Sequence, residues 1–368
     1  LHSLNVGVIT SMFLLFIALL HCYTLDLFPL SWFDEVHFSG ITKSLAEQGN
    51  LQSAFLTSTK GEMNSVAYGP VFFTLNAFLI DLFGFTAYSV RFFTLFFGLF
   101  NIVLIYVLSL KFKINRISRL VVIVCFSLDA VYSTTLHEAR METLVVFFIL
   151  LSLSVFYVSR WNIKRRISTI SILTVLCFLT SPRSFFLLFP LVILLFMEVK
   201  KEKIKLALIF ISLFLAIYSL WVMFVHGGYL EWFRYYQDLV QGNETAYAGY
   251  LGGNFYISKA QYVLLFTTGL LSVLAVQFIS RSNGIVWFLY ACIILFYVVI
   301  HDWGVYSSLV IPFFYLLLLF LLDEIARKNI LFNAVLLPLF LFNLLFFSLK
   351  IGTVILEKNN RSLNLVQE

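Results

Sequence analysis

The chain has 368 residues, 61% of them hydrophobic and 12% charged. Soluble domains run near half apolar with about a quarter charged, and a chain this apolar has too little polar surface to cover a water-soluble fold. The formal net charge of +6 would suit a nucleic-acid binder, but the basic residues sit in short loops between apolar runs, so membrane topology is the better reading and no nucleic-acid partner is expected.

A helix crosses the hydrocarbon core with about 20 mostly apolar residues. Such runs recur over 4–25, 88–110, 119–135, 143–159, 168–180, 183–198, 206–225, 261–280, 285–300, 305–322 and 330–349. The expected fold class is therefore an all-α polytopic membrane protein of about eleven transmembrane helices, in contact with membrane lipid. Residues 4–20 are apolar and no small-residue cleavage site follows, so this run reads as a retained span. Residues 1–349 read as one transmembrane domain with outer loops at 26–87 and 226–260, and 350–368 as a short outer tail. Cys22, Cys125, Cys177 and Cys292 lie in or beside apolar spans and read as buried small hydrophobes.

A further apolar run, 68–83, is short and carries Asp81. If it does not cross, the basic clusters Lys111/Lys113/Arg116/Arg119, Arg160/Lys164/Arg165/Arg166, Lys200/Lys201/Lys203/Lys205, Arg281 and Arg327/Lys328 all share one side. The positive-inside rule makes that side cytoplasmic. The outer side then holds the two long hydrophilic stretches and most of the acidic residues, so chemistry is expected there.

In the first outer loop, Phe38, Ile41 and Leu45 form a helical stripe after Asp34–Glu35, predicting an amphipathic helix over 35–48 on the membrane surface. Asp34 and Glu35 lie at its start, where the helix dipole favours negative charge; they read either as an Asp34 cap with a solvated Glu35 or as reactive carboxylates. The turn His137–Glu138–Ala139–Arg140–Met141–Glu142 is too short to leave the membrane surface, so its charges are either paired across the turn or functional. Pro182 breaks the chain before Arg183, a cation at the outer boundary suited to a phosphate or to snorkelling beside lipid. Arg91, near the outer end of the 88–110 run, is open to both readings. His37, His137, His226 and His301 are all outside, without metal-site spacing. The aromatic loop after His226 suits a sugar or amphipathic acceptor, or an interfacial belt. Asn243–Glu–Thr and Asn360–Arg–Ser match the glycosylation acceptor pattern. Asp129, inside an apolar run, carries no assigned role.

Taken in order, these pieces resemble a known family. WFDEVHFSGITKSLAEQG follows the first span, Tyr68–Gly69–Pro70 opens a short apolar stretch, and Phe83–Gly84 precedes Ala87–Tyr88–Ser89–Val90–Arg91. Ala139–Arg140–Met141–Glu142, Thr180–Ser181–Pro182–Arg183, and Val305–Tyr306 leading to Ile311–Pro312 follow. Over most of residues 1–320 the chain resembles the GT-C superfamily of membrane glycosyltransferases, in the branch of the protein O-mannosyltransferases and lipid A aminoarabinose transferases.

The resemblance implies in-plane helices in the first outer loop and a polyprenyl-phosphate-linked sugar donor. It implies inverting transfer of a hexosyl or pentosyl group to a lipid, glycan or protein acceptor at the outer face. It implies Asp34 as general base, with Glu35 and Glu142 as further catalytic acids, Glu142 standing where the family often has Asp. Arg183, Arg91 and Arg140 are then expected at the donor phosphate, and His37, Tyr68, Glu138 and Tyr306 at the substrate. No cofactor is certain, though the acidic residues could hold a divalent metal. The expected location is the bacterial inner membrane, with the active site facing the periplasm or exterior. The alternative class is a lipid-linked sugar flippase or other transporter, but the internal repeats and broken midplane helices usual there are not evident in the sequence.

Overall fold

The structure, a computed structural model, describes residues 2–26, 33–51, 69–199, 203–226, 228–231, 233–234, 284–299 and 306–327. The runs 261–280 and 330–349, most of the 226–260 loop and the 350–368 tail lie outside these. The described residues are all-α. In chain order the helices are α1 (His2–Thr24), α2 (Phe33–Gln48), α3 (Pro70–Phe83), α4 (Ala87–Lys111), α5 (Arg116–Ser127), α6 (Ala130–Leu136), α7 (Glu142–Tyr157) and α8 (Ile163–Phe178). There follow a 3₁₀ turn at Pro182–Ser184, α9 (Phe185–Glu198), α10 (Lys203–His226), α11 (Gly284–Val299), a 3₁₀ turn at Ser307–Leu309, and α12 (Ile311–Arg327).

Local chemistry sets the helix limits. Thr86 and Ser89 form a reciprocal capping box at the start of α4. The side chains of Asn115 and Asn162 accept the first free N–H groups of α5 and α8. Gly84, at φ 76°, ends α3 in a backbone conformation that a side chain would oppose.

Two expected boundaries differ. The 119–135 run is two helices, because the Asp129 carboxylate accepts the Tyr132 N–H at 2.8 Å and so starts α6 afresh; it also accepts from the Tyr315 hydroxyl at 3.0 Å. The described part of the 305–322 run is broken after Tyr306 by the 3₁₀ turn at Ser307–Leu309, and a new helix starts at Ile311, where Pro312 occupies the first turn, the position in which a missing N–H costs nothing.

One helix among the described residues, Ala87–Lys111, is both long and apolar enough to cross a membrane by length and composition. Apolar residues nonetheless cover the outer faces. On α1 Met12, Leu15, Phe16 and Leu19 are exposed, and on α9 Phe185, Phe189, Ile193 and Met197. A soluble bundle carries polar residues on such faces; these suit lipid.

The two ends of the bundle are chemically distinct. At one end the Phe112 ring packs 5.1 Å from Tyr157 and 5.2 Å from Phe320, and the Asn115 N–H donates to Asp323 at 2.7 Å. This gathers the basic segments after α4, after α7 and at the end of α12. At the opposite end the start of α4 meets the end of α1, the start of α2 and the 137–142 turn.

Helix α3 belongs wholly to this second end. Its first turn lies against the end of α8, with the Val71 N–H donating to the Leu179 carbonyl at 3.4 Å. Its last residue turns directly into α4, with the Ser89 hydroxyl donating to the Gly84 carbonyl at 2.6 Å. Its 14 residues span about 21 Å, short of the roughly 30 Å hydrocarbon core. An impermeant maleimide should therefore label Gln48→Cys and Thr86→Cys from one side of a sealed vesicle and Lys113→Cys from the other. Labelling of Thr86→Cys and Lys113→Cys from the same side would overturn this topology.

Candidate active site

The site end is built from charged groups that almost no solvent reaches. Glu35, in the first turn of α2, is 3% exposed and Arg91, near the start of α4, is 1% exposed. Arg91 donates to both carboxylate oxygens of Glu35, Nε to Oε1 at 2.6 Å and Nη2 to Oε2 at 2.7 Å. Its remaining nitrogen, Nη1, donates to the Leu25 carbonyl at 3.0 Å. The Ala139 N–H donates to Glu35 Oε1 at 3.2 Å. One ion pair thus joins the end of α1, two helix starts and the 137–142 turn. Arg91, expected at the donor phosphate, faces a carboxylate here, and both Glu35 oxygens are already engaged.

The second pair lies within the turn. Arg140 donates to Glu142 through Nε at 3.1 Å and Nη2 at 2.7 Å, with both residues buried. This realises the pairing across the turn that the sequence allowed. The Arg140 backbone is held as well: its carbonyl accepts from the Thr94 hydroxyl, one turn beyond Arg91, at 3.1 Å. Buried ion pairs of this kind are costly to open, because the partner left behind remains charged in a poor solvent.

The third group brings together residues far apart in sequence. Arg183, half-buried in the 3₁₀ turn after α8, donates to the Tyr306 hydroxyl and stands 4.1 Å from the Tyr306 ring centre. The Arg140 guanidinium stands 5.5 Å from the same ring and 5.9 Å from the Phe38 ring. Tyr306 thus has two guanidiniums close to its ring, an arrangement that concentrates positive charge around an aromatic wall. Arg140 is matched by Glu142, and Arg183 is the more exposed of the two cations.

The other expected residues divide. His37 is partly buried with its ring 5.5 Å from Phe38, and Glu138 is partly buried within the turn. Asp34 lies in the first turn of α2, its side chain outside the described residues, as is Tyr68 altogether. Sequence reasoning missed Thr94 and a buried His21–His137 contact, 2.9 Å between ring nitrogens, which fastens α1 to the turn; neither carries a local motif. Among the described residues no three His, Cys, Asp or Glu side chains come together as a metal site.

No family model matches the chain, and no curated protein matches its sequence. The fold is similar to that of ArnT from Cupriavidus metallidurans. To the structure bound to undecaprenyl phosphate the TM-score is 0.56 with 15% identity, covering 85% of this chain and 60% of that one. To the apo structure the TM-score is again 0.56 with 14% identity, covering 89% and 62%. A weaker likeness links it to the S. cerevisiae protein O-mannosyltransferase complex bound to the sugar donor, at TM-score 0.42 and 17% identity over 62% of this chain and 34% of that one. The chain thus spans about 60% of the ArnT length it resembles, and what the two ArnT likenesses establish is an ArnT-like, all-α fold.

Proposed function

We propose that this chain is a multi-pass membrane glycosyltransferase that takes a sugar from a polyprenyl-phosphate donor and transfers it, with inversion, to a lipid, glycan or protein acceptor at the periplasmic or exterior face. The observation that carries the reading is the Arg183–Tyr306–Arg140 group at the end of an ArnT-like fold opposite the basic segments. The ArnT structure of the same architecture is bound to undecaprenyl phosphate.

The chemistry follows from the charges. Inverting transfer breaks the bond between the anomeric carbon and a phosphate oxygen, and the polyprenyl phosphate leaves with the bonding electrons. Arg183 stabilises the charge that develops on that phosphate, with Tyr306 as wall and hydroxyl partner. Arg140, 5.5 Å from the same ring, adds positive potential, and Glu142 holds Arg140 in its orientation. The acceptor hydroxyl attacks from the opposite face of the sugar and gives its proton to Asp34. Asp34 is the base that the family resemblance implies, and Glu35 and Glu142 already accept two bonds each from a guanidinium. A nucleophilic second carboxylate, as in retaining enzymes, has no part in this scheme. His37, Tyr68 and Glu138 are assigned to the acceptor side.

The test is binding of undecaprenyl phosphate to the purified chain in nanodiscs. A charge-assisted hydrogen bond to phosphate contributes about 1.5–3 kcal/mol, so Arg183→Ala should weaken binding by about ten- to a hundredfold. Arg183→Lys, which keeps the charge and loses the fork, should fall between. Equal affinity for the parent and Arg183→Ala would remove Arg183 from the phosphate.

A further inference from the structure

The Glu35–Arg91 pair is built to hold backbone as well as charge. Two of its contacts are to main chain: Arg91 Nη1 to the Leu25 carbonyl, and the Ala139 N–H to Glu35 Oε1. The next residue, Arg140, has its carbonyl fixed by Thr94, which lies on the same helix as Arg91. The peptide that presents the Arg140 side chain is therefore gripped on both sides, by a carboxylate at 139 and a hydroxyl at 140. That side chain then reaches Glu142, Tyr306 and Phe38.

We infer that Glu35, Arg91 and Thr94 are positioning residues for the phosphate end of the site. They act through the 138–139 and 140–141 peptide groups on either side of Ala139–Arg140, and neither Glu35 nor Arg91 takes the acceptor proton or touches the donor phosphate. The inference rests on the reading of Arg140 and Arg183 as the cations around a polyprenyl phosphate.

The geometry distinguishes this device from an ordinary ion pair. Exchanging the two residues, Glu35→Arg with Arg91→Glu, restores the opposite charges. It also sets a guanidinium donor against the Ala139 N–H and a carboxylate against the Leu25 carbonyl, so both backbone contacts become repulsive. A simple ion pair would be rescued by the exchange, whereas a backbone clamp would not.

The experiment measures two quantities on the full chain in nanodiscs: hydrogen exchange of the peptide covering 137–142, and affinity for undecaprenyl phosphate. Glu35→Ala should speed exchange at the Ala139 amide by about tenfold, the loss of one hydrogen bond, and weaken undecaprenyl phosphate several-fold. Thr94→Val, which removes the hydroxyl and keeps the volume, supplies the same test in a background expected to fold. It should weaken the lipid by a smaller factor while leaving α2 as protected as in the parent. The exchanged pair should stay as defective as Glu35→Ala. Asp34→Asn should alter neither quantity. Parent-like exchange and affinity in Glu35→Ala and Thr94→Val, or full rescue by the exchanged pair, would sink the clamp. Undecaprenyl phosphate that binds the parent no better than Arg183→Ala would instead undermine the functional reading on which it rests.

Discussion

Replacing Asp34 with asparagine should lower sugar transfer by about 10²–10⁴-fold, the usual contribution of a positioned general base, while undecaprenyl phosphate binds as before. The substitution keeps the size of the side chain and removes its negative charge, and with it the capacity to take a proton. The assay follows release of undecaprenyl phosphate from whichever of its mannose, glucose or aminoarabinose conjugates turns over. The neighbouring carboxylates provide the contrast. Glu35 is bonded to Arg91 and to the Ala139 N–H, and Glu142 to Arg140, so each variant disturbs an ion pair as well as a carboxylate. Glu35→Gln should reduce turnover through the placement of Arg140 and retain the acid limb of the pH–rate profile, whereas Asp34→Asn should lose that limb. Full turnover in Asp34→Asn would assign the proton to another group.

The sequence made legible those features that depend on parity and spacing. Five basic clusters fall on one side only if 68–83 stays at the opposite surface, and both ends of α3 do lie at one end of the bundle. The helix at 35–48 was visible from its stripe, and the structure runs it over Phe33–Gln48. The Arg140–Glu142 pair was visible because two residues in a turn too short to leave the surface have few other partners.

The Glu35–Arg91 pair was not legible, because the two residues lie 56 positions apart and each also suited a ligand. Nothing local distinguishes an arginine that meets phosphate from one that meets a buried carboxylate; the distinction lies in which helix starts converge. Arg183 and Tyr306 are 123 positions apart, and only the order of family motifs brought them into one expectation. Asp129 carries no motif that assigns it a role. Its carboxylate divides an apolar run into α5 and α6, which a hydropathy pattern averages over.

The second large effect is expected at a residue with no side chain. Gly69 packs its α-carbon so close to the end of α8 that a Cβ there would overlap the Leu179 carbonyl oxygen, its carbon and its α-carbon. Backbone of this kind cannot turn aside as a side chain can, so Gly69→Ala must push α3 away from α8. Overpacking costs about 1–3 kcal/mol where side chains can adjust, and this overlap with main chain should reach the upper part of that range or exceed it. The displaced segment is the one that runs from Leu179 to Pro182 and carries Arg183. The variant should therefore lose thermal stability and weaken undecaprenyl phosphate together.

Gly98 is the control. A Cβ there would also overlap a neighbour, but the closest atom is Cδ2 of Leu136, the far end of a flexible side chain. A rotamer change at Leu136 can relieve much of that overlap, and alanine is the better helix former by about 1 kcal/mol. Gly98→Ala should thus cost clearly less than Gly69→Ala in a thermal melt, with little change in lipid affinity. Equal losses in the two variants, or an undisturbed Gly69→Ala, would contradict the close contact of α3 with α8 on which the position of Arg183 depends.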